Sequence, residues 1–253
     1  MPELSKNQET LLRSLYTRHG RKKHNLCVCE GLRCCREFYA SRPDLIEFAV
    51  SSSDFDSSRL PGPDFMVVPA DSFRKISSTI ETQGVLIVTR KPDFLSPEEA
   101  PSAPFILVLD RISDPGNFGT ILRTAQAAGL NEIWFTEGSV DPFNNKVIRA
   151  AMAVQFTLRL REFSSLEKVS EALSRFHYGT VYRTDPHFGK NIFREKNIFD
   201  RSAVILGSEG DGAGELPDSI PLTIPMPGNA ESINVAQAAT VILFEYVRTL
   251  NLP

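Results

Sequence analysis

LVLDRISDPGNFGTILRTAQAAG, residues 107–129, sets the architecture. An apolar run stops at Asp110, and Pro115, Gly116 and Asn117 make a turn. Asn117 is a candidate N-cap and Gly129 a C-terminal stop for the helix between them. Ile121, Ala125 and Ala128 recur at i, i+4 and i+7 and form its buried stripe. Arg123 lies two residues beyond Ile121, about 200° around the helix, and so points away from the core with Thr120 and Ala127. Helix geometry alone favours reading it as a solvated surface arginine.

Outward from this unit the chain keeps alternating. FILVLD, EIWF, FTLRL, GTVYRT, AVILGS and PLTIP are short apolar or β-branched runs, and helical patterns at 117–128, 144–152, 164–175 and 232–249 lie among them. Such alternation predicts a mostly parallel sheet covered on both faces. Ligands of such sheets sit beyond the carboxyl ends of the strands. Two further loops therefore matter. AVILGSEGDGAGEL, residues 203–216, places Gly207, Gly210, Gly212 and Gly214 after a strand, where glycines let backbone approach a ligand. It is neither a P-loop nor G-x-G-x-x-G, and a plain turn accounts for it equally well. LTIPMPGNAESINVAQAATVILFEYV, residues 222–247, sets Ser232 and Asn234 at the start of an Ala-rich helix. Ser232 is the candidate N-cap, and the helix start could also bind a polar ligand group.

Upstream, KPDFLSPEEAPSAP (91–104) carries four prolines and reads as a connection. It predicts a first domain over 1–95, a linker over 96–104 and a second domain over 105–253. The first domain reads as smaller α/β: a helix from Ser5 to Tyr16, a basic stretch TRHGRKKHN, strand LCVCE, a helix over 32–41, and strands IEFAVSS, FMVVPA and GVLIVTR. The net charge of −3 hides an asymmetry: residues 1–42 hold nine Lys/Arg against four Asp/Glu, and the remainder is acidic. A basic end on an acidic body suits a polyanion partner, and a solvated surface explains the charge equally.

Cys27, Cys29, Cys34 and Cys35 are the only cysteines. Their C-x-C-x4-C-C spacing lacks the C-x2-C pairs of common zinc sites, so core packing is expected rather than metal. No stretch approaches the roughly 18 apolar residues of a membrane span, and MPELSKNQETLL lacks a signal-peptide profile. A cytoplasmic protein is expected, with no membrane or metal partner.

Taken together, DPGNFGTILRTAQAAG, ILGSEGDGAGEL and IPMPGNAESINVAQAA resemble, in order and spacing, the three motifs of the SpoU–TrmH branch of the SPOUT RNA methyltransferases. The likeness covers about residues 105–250. SKNQETLLRSL, LCVCEGLR and TQGVLIV resemble the substrate-binding domain often found ahead of it. The resemblance implies an α/β fold with a C-terminal trefoil-knotted parallel-sheet domain, S-adenosylmethionine as cofactor in the knot, and a homodimer with active sites at its interface. It implies a polar catalytic set of Asn117, Arg123, Glu209, Ser232 and Asn234, and a cofactor pocket lined by Gly207, Ile224, Met226 and Ile233. Ile233 stands where the family usually has leucine, and Ala236 where serine is frequent. TDPHFGKNIF, residues 184–193, has no counterpart role.

The implied reaction is methyl transfer to a ribose 2′-hydroxyl of structured RNA, with ribosomal RNA the first candidate substrate and transfer RNA the next. Arg123 would act as the base, or stay charged and stabilise the developing alkoxide. A guanidinium titrates only above about pH 12. Lowering that by about five pH units costs roughly 7 kcal/mol, at about 1.36 kcal/mol per unit. Arg18, Arg21, Lys22 and Lys23 would dock the RNA. Two other readings are a non-enzymatic RNA-binding or assembly protein on this scaffold, and methylation of a base. A dinucleotide fold is disfavoured, because its glycine loop follows the first strand and only 39 residues follow Gly214.

Overall fold

The computed structural model describes residues 4–208 and 212–250, so Glu209 lies outside the described residues. The chain forms two compact units: residues 1–93 with 141–157, and residues 94–140 with 158–253.

In the first unit, α1 (Lys6–Leu15) starts at a capping box, in which the Ser5 N–H donates to Gln8 Oε1 at 3.0 Å and the Gln8 N–H returns to the Ser5 side chain. The basic stretch is itself helical: α2 (Arg18–His24) is capped by Thr17 and ends at Asn25 in the left-handed region. Then come β1 (Leu26–Glu30), α3 (Leu32–Ser41), β2 (Ile46–Ser52), β3 (Phe65–Val68), α4 (Ala70–Ile76) and β4 (Val85–Arg90). The strands form a sheet in the order β1-β4-β2-β3, with β2 and β3 parallel and the other pairs antiparallel. Leu12 and Leu15 of α1 and Phe73 and Ile76 of α4 pack with Val28, Val50, Leu86 and Val88 of the strands. All four cysteines are buried free thiols. Burial pushes the Cys27, Cys29 and Cys35 thiols far up, so they stay protonated and fill space as small apolar groups. Among the described residues, no group of three or more His, Cys, Asp or Glu side chains is placed to hold a metal.

The second unit opens with β5 (Ile106–Leu109), α5 (Pro115–Ala127) and β6 (Glu132–Thr136). The following segment, 141–157, belongs to the first unit and carries α6 (Asn145–Ala151) and a 3₁₀ turn at Val154–Phe156. The second unit resumes with β7 (Arg159–Phe163), α7 (Leu166–Arg175), β8 (Thr180–Thr184), β9 (Lys190–Asn191), β10 (Ser202–Leu206), β11 (Ile220–Thr223) and α8 (Val235–Thr249). Seven strands align in the order β7-β6-β5-β10-β8-β11-β9, and every neighbouring pair is parallel. The central strands β5, β6 and β10 are buried throughout, as expected of a parallel sheet covered on both faces. Ile121, Ala125 and Ala128 are buried, as the stripe on α5 requires.

Four local expectations need correcting. Asp114, not Asn117, caps α5: its carboxylate accepts the Asn117 N–H at 2.7 Å, and Pro115 takes the first helical position. Asn234, not Ser232, caps α8, accepting the Ala236 and Gln237 N–H groups. The strand read in FTLRL lies further on, at 159–163, because Met152 and Ala153 adopt φ of 53° and 63° and the chain then makes its 3₁₀ turn.

The fourth concerns residues 141–157, which the linker-based division assigns to the second domain but which pack in the first unit. Arg21 explains part of this. Its Nε donates to Asp141 Oδ2 at 2.7 Å and its Nη1 to the Leu15 carbonyl at 3.0 Å. Arg149 of α6 approaches the buried Glu30 to 3.7 Å and donates to Ser78 Oγ at 2.9 Å. Phe156 meets Phe38 edge-on, with ring centroids 4.8 Å apart. Among the described residues, no helix is long and apolar enough to cross a membrane.

Candidate active site

In the second unit, the carboxyl ends of β8, β10 and β11 open on a cavity of about 580 Å³, within the usual range of small-molecule sites. Gly207 follows β10, Ile224 and Met226 follow β11, and Ile233 precedes α8; all four line the cavity, as do Ser232 and Asn234. Gly207 is a steric necessity. A Cβ there would lie 1.9 Å from the Ala213 nitrogen and 2.0 Å from the Gly212 carbonyl carbon. The chain that leaves β10 therefore doubles back across its own start, and only a hydrogen at position 207 lets it pass.

Two of the sequence segments meet here. Asn234 spends Oδ1 on the α8 cap, through Ala236 N–H at 2.9 Å, and its Nδ2 donates to Asn117 Oδ1 at 3.0 Å. One asparagine thus fixes the helix start and ties it to the first turn of α5. Arg123 is placed differently. It stands on the exposed face of α5 and is not among the cavity-lining residues, and neither is Asn117.

Two contributors carry no role in the sequence reading. Asp110, at the end of β5, is 2% exposed. Its Oδ1 accepts from Thr136 Oγ1 at 2.7 Å, and its Oδ2 accepts from the Gly214 N–H at 3.1 Å and from Arg111 Nε at 3.2 Å. It anchors the far end of the glycine loop to the sheet. The other is TDPHFGKNIF, whose Thr184, Asp185, Pro186 and His187 line the cavity. Asp185 Oδ1 accepts the His187 and Phe188 N–H groups at 2.9 and 3.1 Å, a side-chain turn that holds this rim. The available signal was position: the stretch directly follows a strand at the ligand-binding edge of a parallel sheet.

The residues present suit S-adenosylmethionine. The cavity offers aliphatic walls at Leu206, Leu222, Ile224 and Ile233 for an adenine ring, polar groups at its rim, and at Gly207 a cradle that a side chain would fill.

Of the four cations read as RNA contacts, Arg18, Lys22 and Lys23 are exposed on α2. Arg21 is not available: it is 2% exposed and committed to Asp141 and Leu15.

The model of the SpoU rRNA methylase family matches residues 104–244. The chain belongs to this family. Membership carries an RNA methylase reaction and agrees with the all-parallel sheet and the order of the three loops. A similar protein along nearly the whole length is the 23S rRNA (guanosine(2553)-2′-O)-methyltransferase RlmP of Bacillus subtilis, 29% identical, with 96% of this chain and 97% of that protein covered. A solved RNA 2′-O ribose methyltransferase superposes with a TM-score of 0.82 at 26% identity, over 99% of this chain and 98% of the other. The SpoU methyltransferase AviRb of Streptomyces viridochromogenes, solved with AdoMet, also gives a TM-score of 0.82, over 97% and 98% of the two chains. Its 22% identity speaks for the fold alone.

Proposed function

We propose that this SpoU-family chain transfers a methyl group from S-adenosylmethionine to a ribose 2′-hydroxyl of ribosomal RNA. The observation that carries the reading is the Asn117–Asn234 hydrogen bond at 3.0 Å beside the cavity. It joins the first and third loops where a nucleotide would meet the cofactor. Bound S-adenosylmethionine supplies an electrophilic methyl group on a sulfonium. The protein supplies enclosure and positioning. Gly207, Ile224, Met226 and Ile233 hold the adenosine, while Ser232 and Asn234 position the ribose or its phosphate. Arg123 takes the hydroxyl proton or stabilises the alkoxide as the proton leaves to water or phosphate. Asn117, and Glu209 outside the described residues, orient Arg123.

Because Arg123 does not line the cavity of its own chain, the reading includes a homodimer in which the partner's α5 completes each site. Phe244 within α8 and Leu250 just beyond it are 50% and 43% exposed, and α8 packs on α5, so a second copy would cover apolar surface there. The reading also includes the trefoil knot that the family resemblance implies, and a cytoplasmic location with the RNA. The ribosomal preference leans on the likeness to RlmP.

Incubating the protein with methyl-labelled S-adenosylmethionine and unmodified bacterial RNA, then digesting the RNA, should place the label in a 2′-O-methyl nucleoside of ribosomal RNA. Label in a methylated base would overturn the acceptor. Absence of label despite RNA binding would favour the assembly-protein reading.

The first unit would dock the RNA through Arg18, Lys22 and Lys23. Each phosphate contact contributes about 0.7–0.9 to the slope of log affinity against log salt. Replacing all three with alanine should flatten that slope by about two to three. An unchanged slope in a filter-binding titration would remove α2 from the interface.

A further inference from the structure

The segment after the cavity rim, HFGKNIFREK (187–196), interleaves aromatic and basic residues within an otherwise acidic body. Phe188 and Phe193 are 57% and 52% exposed, and Lys190, Arg194 and Lys196 are exposed beside them. Lys190 pairs with Glu195 at 2.7 Å. Among the described residues no ion pair joins Arg194 or Lys196.

The rings are held out on a rigid frame. Gly189 lies against β11, at φ +132°, where a Cβ would fall 2.5 Å from Pro221 backbone atoms. Ile192, 1% exposed, anchors the segment inward. Asn191 Oδ1 accepts the Phe193 N–H at 2.9 Å, and the Asn191 carbonyl accepts the Arg194 and Glu195 N–H groups, each at 3.0 Å. On the other side, the Phe188 N–H is tied to Asp185 at 3.1 Å and the Arg183 guanidinium lies 6.0 Å from the Phe188 ring centroid. A lone exposed apolar side chain is ordinary. Two aromatic rings within six residues, fixed beside three cations and continuous with the rim of the cofactor cavity, are a stacking platform for unpaired bases.

We propose that Phe188 and Phe193, with Arg194 and Lys196, bind unpaired RNA nucleotides flanking the methylated one. This rests on the RNA methyltransferase reading and specifies its substrate: a target presented in a single-stranded loop or end, not within a duplex. Rings stack on bases, the cations meet phosphates, and the segment pays little ordering entropy because the chain already holds it.

The test uses the full-length protein and two fluorescent RNA probes: a mixed-sequence single strand without self-complementarity, and a fully paired duplex. F188A and F193A should each weaken single-strand binding about 5- to 150-fold, leaving duplex binding and S-adenosylmethionine affinity unchanged. F188W/F193W should retain binding, whereas F188L/F193L, apolar but without rings, should lose it. R194A/K196A should flatten the salt dependence of single-strand binding. Single-strand affinity within twofold of wild type in the alanine variants would overturn the proposal, as would equal losses on both probes. Full binding by the leucine variant would also overturn it and would mark the patch as an apolar surface for a protein. If the wild type methylates RNA while the alanine variants behave normally, only this inference fails. If the wild type binds and methylates no RNA, the functional reading fails with it.

Discussion

Alanine at Arg123 should lower kcat at least about 100-fold, the typical loss when a preorganised donor to a developing oxyanion is removed. S-adenosylmethionine affinity should stay within about twofold, since Arg123 is exposed on α5 and stands outside the cavity lining. Isothermal titration with the cofactor and single-turnover methylation of RNA separate the two quantities. A loss of cofactor affinity would assign Arg123 a structural role instead. R123K refines the chemistry. Lysine keeps the charge but loses the planar fork, so substantial recovery would show that a cation suffices, and a loss like that of R123A would show that guanidinium geometry is required. Mixing inactive R123A chains with chains defective in cofactor binding should restore activity in heterodimers if the arginine works across an interface. No recovery in such mixtures would place it in its own chain's site.

The second large effect is expected from a single methyl group. G207A puts a carbon 1.9 Å from the Ala213 nitrogen and 2.2 Å from its Cα. Both are backbone atoms, so no side chain can swing aside, and the crossing strands must separate by more than 1 Å to restore contact distance. Overpacking in a core typically costs about 1–3 kcal/mol, and a backbone collision belongs at the upper end or beyond. Cofactor binding should fall at least about 100-fold by titration calorimetry, because the displaced backbone is itself the cavity wall. G129A serves as the comparison, since nothing lies within 4 Å of a Cβ there. Its φ of +78° still strains any side chain, and a cost of about 1 kcal/mol without loss of cofactor affinity is expected. Cofactor binding by G207A within a few-fold of wild type would refute the steric account.

Local periodicity made much of the second unit legible. The stripe Ile121, Ala125 and Ala128, the apolar runs at β5, β6 and β10, and the long α8 all follow from side-chain spacing. The cofactor contacts came by another route, the resemblance of three loops to the family's motifs; Gly207, Ile224, Met226 and Ile233 line the cavity, whereas no residue of the first loop does. What escaped depends on partners distant in sequence. Nothing near Arg21 distinguishes it from Lys22 and Lys23; Asp141, 120 positions away, does. Asp114 and Asn117 are both good cap residues, and the proline at 115 decides between them, because it suits the first helical position. Ser232 and Asn234 compete similarly, and Asn234 prevails by serving the helix and Asn117 at once. The rim at 184–187 has no periodic signature because its turn is built from side-chain-to-backbone bonds.

The membership of residues 141–157 in the first unit bears on how the protein is made. A ribosome delivers the N-terminus first, and the usual economy of a two-body chain is that the leading body folds while the trailing one is still being translated. Here the leading body stays incomplete when residue 93 has emerged. Arg21, whose Nε lacks the Asp141 carboxylate, and Glu30, a carboxylate without Arg149, wait for a segment that arrives only after the first strands of the other body. At about 5–20 residues per second the delay is roughly 3–13 s. Through that interval the nascent first unit presents the surface that Phe156 will cover at Phe38, a natural holding point for a chaperone. A shortened chain ending at residue 93 would be fixed in that unfinished state.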